Sequence, residues 1–139
     1  MLYAYDWQGA LDNCRDLLKR DPDHLGALEV SAQAQWFAGE YLEVIRTTTR
    51  LLKLNPMEPG YRYTRGMSYL SLGQLHYAYG DFSDALAQSD DPRFCAQVHA
   101  ALTAVEQWRQ AGPNVVEKRK ALAAARSLPP FGNIGTIIN

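Results

Sequence analysis

The chain has little that would direct it to an oxidising compartment, a membrane or a polyanion. Its 139 residues include only two cysteines, Cys14 and Cys95. They lie far apart with no second thiol nearby, which excludes a disulfide framework and a CxxC metal or redox motif. Both are expected to serve as small apolar side chains in a reducing compartment. No run approaches the roughly 18 apolar residues that span a bilayer, and the opening MLYAYDWQG lacks the basic flank and apolar core of a signal peptide. A cytoplasmic location without membrane association is the expectation. An excess of one charge sign is also missing. With 14 Lys+Arg against 15 Asp+Glu, nothing draws the chain as a whole to phosphate backbones, so no nucleic-acid partner is expected. His24, His76 and His99 are dispersed, and there is no HExxH, no recognisable Ser or Cys nucleophile and no phosphate loop. The chain is therefore expected to be no enzyme and to use no metal and no cofactor.

What the sequence does contain is a period. Sliding it against itself until Ala10 meets Val44 also brings Val44 onto Ala78, and the same shift aligns Leu11, Ile45 and Tyr79, then Leu17, Leu51 and Ala85, then Leu18, Leu52 and Leu86. It pairs Gly39 with Gly73 and Pro22 with Pro56, and brings the small residues Ala32, Gly66 and Ala100 into one column. A fixed period of this size marks a stacked repeat architecture. Within a unit the apolar positions follow a helix: Ala10, Leu11, Cys14, Leu17 and Leu18 form one stripe, and Val44, Ile45, Thr48, Leu51 and Leu52 repeat it. Glycine favours the left-handed turn that ends a helix, and proline cannot continue one, so each unit is two helices joined by a tight turn. The spacing predicts helices at about 6–20, 24–38, 41–54, 59–72, 75–87, 92–110 and 114–127, with no strand.

A helix–turn–helix unit of this length with these small, aromatic and proline positions resembles the tetratricopeptide repeat family, on Ala32, Gly39, Tyr41, Leu51 and Pro56 in one unit and Gly66, Tyr69, Gly73, Ala78, Phe82 and Ala85 in the next. The resemblance implies an all-α, right-handed α-solenoid of antiparallel helix pairs with about seven helices. It would form a single domain over 1–139: a partial repeat at 1–24, repeats at 25–58 and 59–92, a degenerate capping repeat at 93–128 and a non-helical tail at 129–139. In the fourth unit a short insertion falls near Ala111-Gly112-Pro113-Asn114, and Ala121, Ala124 and Leu128 are expected on one side of the last helix. Its basic residues Lys118, Arg119, Lys120 and Arg126 are expected on a solvated face.

The family's inner face is lined by the first helix of each pair, and its unpacked positions fall on Glu29, Gln33, Trp36 and Phe37, then Tyr63, Met67, Leu70 and Ser71, then Gln97, Ala101, Ala104 and Val105. The resemblance thus implies an interaction module, adaptor or scaffold that takes a peptide or helix of a partner in a concave apolar groove. Trp36 and Phe37 point about 100° apart, so at least one should face the groove, unless Trp36 seals the joint between units. Arg62 and Arg65 occupy a normally apolar stretch. Either they lay their methylenes on neighbours and pair with carboxylates, or they form an anion or carboxylate contact one helical turn apart. Where some family members hold a partner's C-terminal carboxylate with Lys, Asn and Arg, this chain has Glu29, Gln33, Val30, Gly60 and Thr64, which favours an apolar partner. Two alternatives remain. Met1 falls within a first helix whose beginning is absent, which suggests a homodimer through the incomplete N-terminal repeat or the tail 129–139, that tail either packing back or extending as an arm. The other is a secretion or assembly chaperone of the tetratricopeptide type.

Overall fold

Glycines, prolines and a few capping side chains cut the chain where the period marks it. A computed structural model describes residues 7–129, and within them every regular element is a helix: α1 (Trp7–Arg20), α2 (Leu25–Phe37), α3 (Tyr41–Leu54), α4 (Pro59–Ser71), α5 (Leu75–Gln88), α6 (Pro92–Ala111) and α7 (Val115–Arg126). Four of the N-terminal ends are capped by side chains that accept from backbone amides: His24 Nδ1 from the Ala27 N–H at 3.0 Å, Glu58 Oε1 from that of Gly60 at 3.1 Å, Asp91 Oδ1 from that of Arg93 at 3.0 Å, and Asn114 Oδ1 from that of Glu117 at 3.1 Å. Pro59 and Pro92 sit at first helical positions, where a missing N–H costs nothing.

The period survives as hydrogen bonds. Gly39 has φ 77° and Gly73 φ 75°. Around the first, the Gly39 N–H donates to the Trp36 carbonyl at 3.0 Å and the Glu40 N–H to that of Gln35 at 2.9 Å; around the second, Gly73 donates to Leu70 and Gln74 to Tyr69, both at 2.9 Å. This double closure of a helix C-terminus needs a left-handed residue, which only glycine supplies without strain. A third such turn would fall on Gln107, one period after Gly73. With no glycine there, α6 runs on to 20 residues, against 13 in α2 and in α4, and stops at Gly112 ahead of Pro113.

Each helix packs against the next, and α4 also touches α6 and α7. The core runs through the chain from Leu28 and Val44 to Tyr63, Phe82, Val98 and Ala125. Small residues set the spacing within it. A Cβ on Gly66 would lie 2.7 Å from the Phe82 ring, so α4 and α5 are as close as that ring allows. Three hydroxyls in the core are satisfied locally: those of Thr48, Thr64 and Ser68 donate back to the carbonyls of Val44, Gly60 and Thr64 at 2.7, 2.9 and 3.1 Å.

The fourth unit departs from expectation. Ala100, aligned with the buried Ala32 and Gly66, is exposed, while Ala101 is fully buried. On α7 the buried residues are Ala121 and Ala125, and Ala124 is exposed. Both differences have one cause. α6 keeps the buried stripe Phe94, Val98, Ala101 and Ala104, which falls one period after Gly60, Thr64, Met67 and Leu70 of α4. It lacks the second stripe that would meet a following helix in phase, because α7 starts late and turns back toward α4. Tyr79 and Leu17 also lie in apolar columns yet are exposed. Of the tail expected at 129–139, residues 130–139 lie outside the described residues, as do residues 1–6 of the expected partial repeat. No described helix is long and apolar enough to cross a membrane.

Candidate interaction surface

The expected inner-face residues divide sharply. Tyr63, Met67, Leu70 and Gln33 are at most 1 % exposed, and Ala101, Ala104 and Val105 are buried too. They are core, not an open wall. α7 contributes to this: it packs on α6 and touches α4, and its Ala125 belongs to the core cluster that holds Tyr63, Met67 and Ala101, with Leu128 packed against it. Of the polar positions, Glu29 is half-buried and accepts from the Tyr61 hydroxyl at 2.9 Å. Burial and that carboxylate together push the Tyr61 phenol well above its ordinary value. Ser71 is half-buried and donates to the Met67 carbonyl at 2.9 Å.

Trp36 and Phe37 separate as their offset along the helix requires. Trp36 is buried, its ring set edge-on to Tyr41 with centroids 5.1 Å apart, whereas Phe37 is 40 % exposed. Arg65 is taken by a carboxylate: its Nε and Nη2 donate to both oxygens of the buried Asp81 at 2.8 Å each, and Nη1 donates to Thr49 at 3.1 Å. That pairing raises the Arg65 pKa further. Arg62 reaches Asp84 at 3.5 Å. Each guanidinium group thus faces its own aspartate, as in the first of the two alternatives for Arg62 and Arg65.

Apolar surface collects elsewhere, along the edge that carries the Gly39 and Gly73 turns. Gly39, Glu40, Tyr41, Leu42, Glu43 and Leu72 line one shallow pocket. Leu42 is 58 % exposed, and Phe37 and Leu72 are partly open. A second pocket is lined by Leu75, His76, Tyr79, Val105, Glu106 and Arg109. There the Arg109 guanidinium holds Glu106 below the usual carboxylate range, and Trp108 stands against Gly73. Position relative to the period did not single out Leu42 and Leu72, whereas Leu75 falls in the column of Tyr41. Their signal was simpler: each lies within three residues of a turn glycine and is apolar where turns are usually polar.

One further contact joins the units. Tyr63 and Gln97 stand one period apart, at the same position of successive repeats, and both donate to the carbonyl of Pro129, at 2.7 and 2.8 Å. Burial pushes the Tyr63 phenol up to about 12. No family model matches the chain, and neither a curated protein nor a solved structure matches it at a significant level.

Proposed function

We propose that the protein is a cytoplasmic interaction module of tetratricopeptide-like repeats, a right-handed solenoid of antiparallel helix pairs whose partner is a protein or peptide. The repeat reading is supported by the two glycine turns, which carry the same hydrogen-bond pattern one period apart. It is also supported by the pairing of Arg62 with Asp84 and Arg65 with Asp81, in which numbers rise along α4 as they fall along α5.

The observation that carries the functional reading is the apolar edge. Phe37, Leu42, Leu72 and Tyr79 stay uncovered in and around two pockets, while Tyr61, Tyr63, Met67 and Leu70 of α4 are buried. Exposed apolar residues gathered around a concavity mark binding surface more often than chance scatter does. A partner presenting two or three apolar side chains fits it, with Glu40 and Glu43 in one pocket and Arg109 in the other. The test is quantitative pull-down with the full chain and with Leu42→Ser/Leu72→Ser, substitutions at exposed positions that leave the core intact. Partner recovery falls at least tenfold on this reading. A partner retained at full strength by the double variant sinks it. Light scattering on the same samples separates a foreign partner from a second copy of the chain.

A further inference from the structure

The grip on Pro129 shows what the face between α4 and α6 is built to hold. In the repeat alignment Glu29, Tyr63 and Gln97 form one column, the first inner-face position of each unit. Two of the three converge on a single main-chain oxygen, from α4 and from α6. A main-chain carbonyl carries no side-chain identity, so this pair reads backbone. Apart from that grip, the segment that supplies the carbonyl packs chiefly on α6 and touches α4 only lightly. α7 buries only Ala121 and Ala125 among its side chains, its Val115 and Val116 are 57 % and 59 % exposed, and its stem is Gly112-Pro113 with Gly112 at φ 56° and ψ −124°. Two buried methyl groups with the half-buried Leu122 and Leu128 are a small apolar anchor for a 12-residue helix. At the far end, the Arg126 guanidinium rests over the Tyr41 ring at 5.7 Å, a contact that is weak when open to solvent. α7 packs on α6 and touches α4, and its Ala125 belongs to the same core cluster as Tyr63, so a partner helix would meet that face if α7 left.

We propose that Val115–Pro129 is an exchangeable internal ligand of the α4–α6 face, held by a backbone clamp made of Tyr63 and Gln97. The external ligand this face takes is a helix with the same features: small residues at i and i+4, an apolar residue at i+7, and a free carbonyl just beyond, as in Ala121, Ala125, Leu128 and Pro129. This rests on the repeat-module reading above, but it concerns a different surface from the Leu42–Leu72 edge.

The experiment uses the full chain and a fluorescein-labelled peptide of residues 115–129. Ala125→Arg places a long charged side chain where α7 meets the core and leaves Tyr63 and Gln97 in place. The variant binds the peptide at least tenfold more tightly than the wild type does, because the competing internal copy no longer fills the face. Adding Tyr63→Phe/Gln97→Ala to that background lowers peptide affinity on the order of tenfold, as the loss of two hydrogen bonds requires. Equal affinity of the Ala125→Arg variant and the wild type overturns the proposal.

Because Ala125→Arg could fail to fold, hydrogen exchange on the Tyr63→Phe/Gln97→Ala chain, with Ala125 retained, provides a second measurement. Amides of α7 exchange on the order of tenfold faster than in the wild type while those of α3 and α5 do not change. Acceleration spread evenly over all helices, or none in α7, overturns it as well. Loss of partner at Leu42→Ser/Leu72→Ser is read separately, so the edge and the clamp stand or fall independently.

Discussion

At the residue scale, the most exacting contact is the Arg65–Asp81 pair. Asp81 is buried and both its oxygens accept from Arg65. Removing one member of a buried pair strands the other charge, which typically costs about 3–5 kcal/mol, whereas replacing both with apolar side chains is often far milder. Asp81→Ala is therefore expected to lower the denaturation midpoint strongly, and Arg65→Met/Asp81→Leu to recover more than half of the loss. Denaturant unfolding of the two variants checks both outcomes. The buried tyrosines give a pH signature. A phenol held neutral in the folded state keeps its proton where the unfolded chain gives it up. The native state then binds more protons than the unfolded state between pH 10 and about 12 for Tyr63, and stability falls as pH rises through that window. The slope for one such group approaches about 1.4 kcal/mol per pH unit. Tyr63→Phe is expected to flatten the alkaline decline of stability, measured by urea midpoints from pH 9 to 11.5, without changing its neutral-pH shape.

At the element scale, two glycines inside neighbouring helices should respond oppositely to the same substitution. Gly66 faces the Phe82 ring, fully buried and set against Tyr63 with centroids 5.8 Å apart, so an added methyl has nowhere to go. Overpacking of this kind costs about 1–3 kcal/mol, more than the roughly 1 kcal/mol gained in helix propensity. At Gly80 on α5 a methyl would meet nothing within 4 Å, and only the propensity gain remains. Gly66→Ala is expected to lower the thermal midpoint and Gly80→Ala to raise it by a few degrees, with calorimetry distinguishing them.

The same contrast shows what was legible in the sequence. Helix boundaries came within a residue or two because glycine turns, proline starts and a 3.6-residue stripe are local signals. Gly66 as a spacer followed from its column. The burial of Tyr63, Met67 and Leu70 could not be read this way. It involves packing between helices, the return of α7 to α4 among it, and that contact between segments far apart in the chain leaves no periodic trace. On α7 the buried position is Ala125 where the spacing predicts Ala124, since one residue along a helix turns a side chain through about 100°.

At the scale of the whole molecule, charge is distributed so that little of it is available to a polyanion. Positive and negative residues nearly balance, 14 against 15, and many of the cations are engaged. Arg15 pairs with Asp12, Arg46 with Glu43, Arg50 with Asp23, Arg62 with Asp84, Arg65 with Asp81, Arg109 with Glu106 and Lys120 with Glu117. Most of these are exposed pairs that add little stability, but they neutralise the field that a phosphate backbone would feel. The densest remaining basic surface is on α7, at Lys118, Arg119 and Arg126, and Arg126 is drawn toward Tyr41. Non-specific nucleic-acid binding needs several phosphate contacts at once and weakens steeply with salt. The full chain is therefore expected to pass through a heparin column at 150 mM NaCl without retention. Retention abolished by Lys118→Glu/Arg119→Glu would instead assign α7 a basic surface of its own, and the neutral balance of the chain would then be an average over two unlike faces.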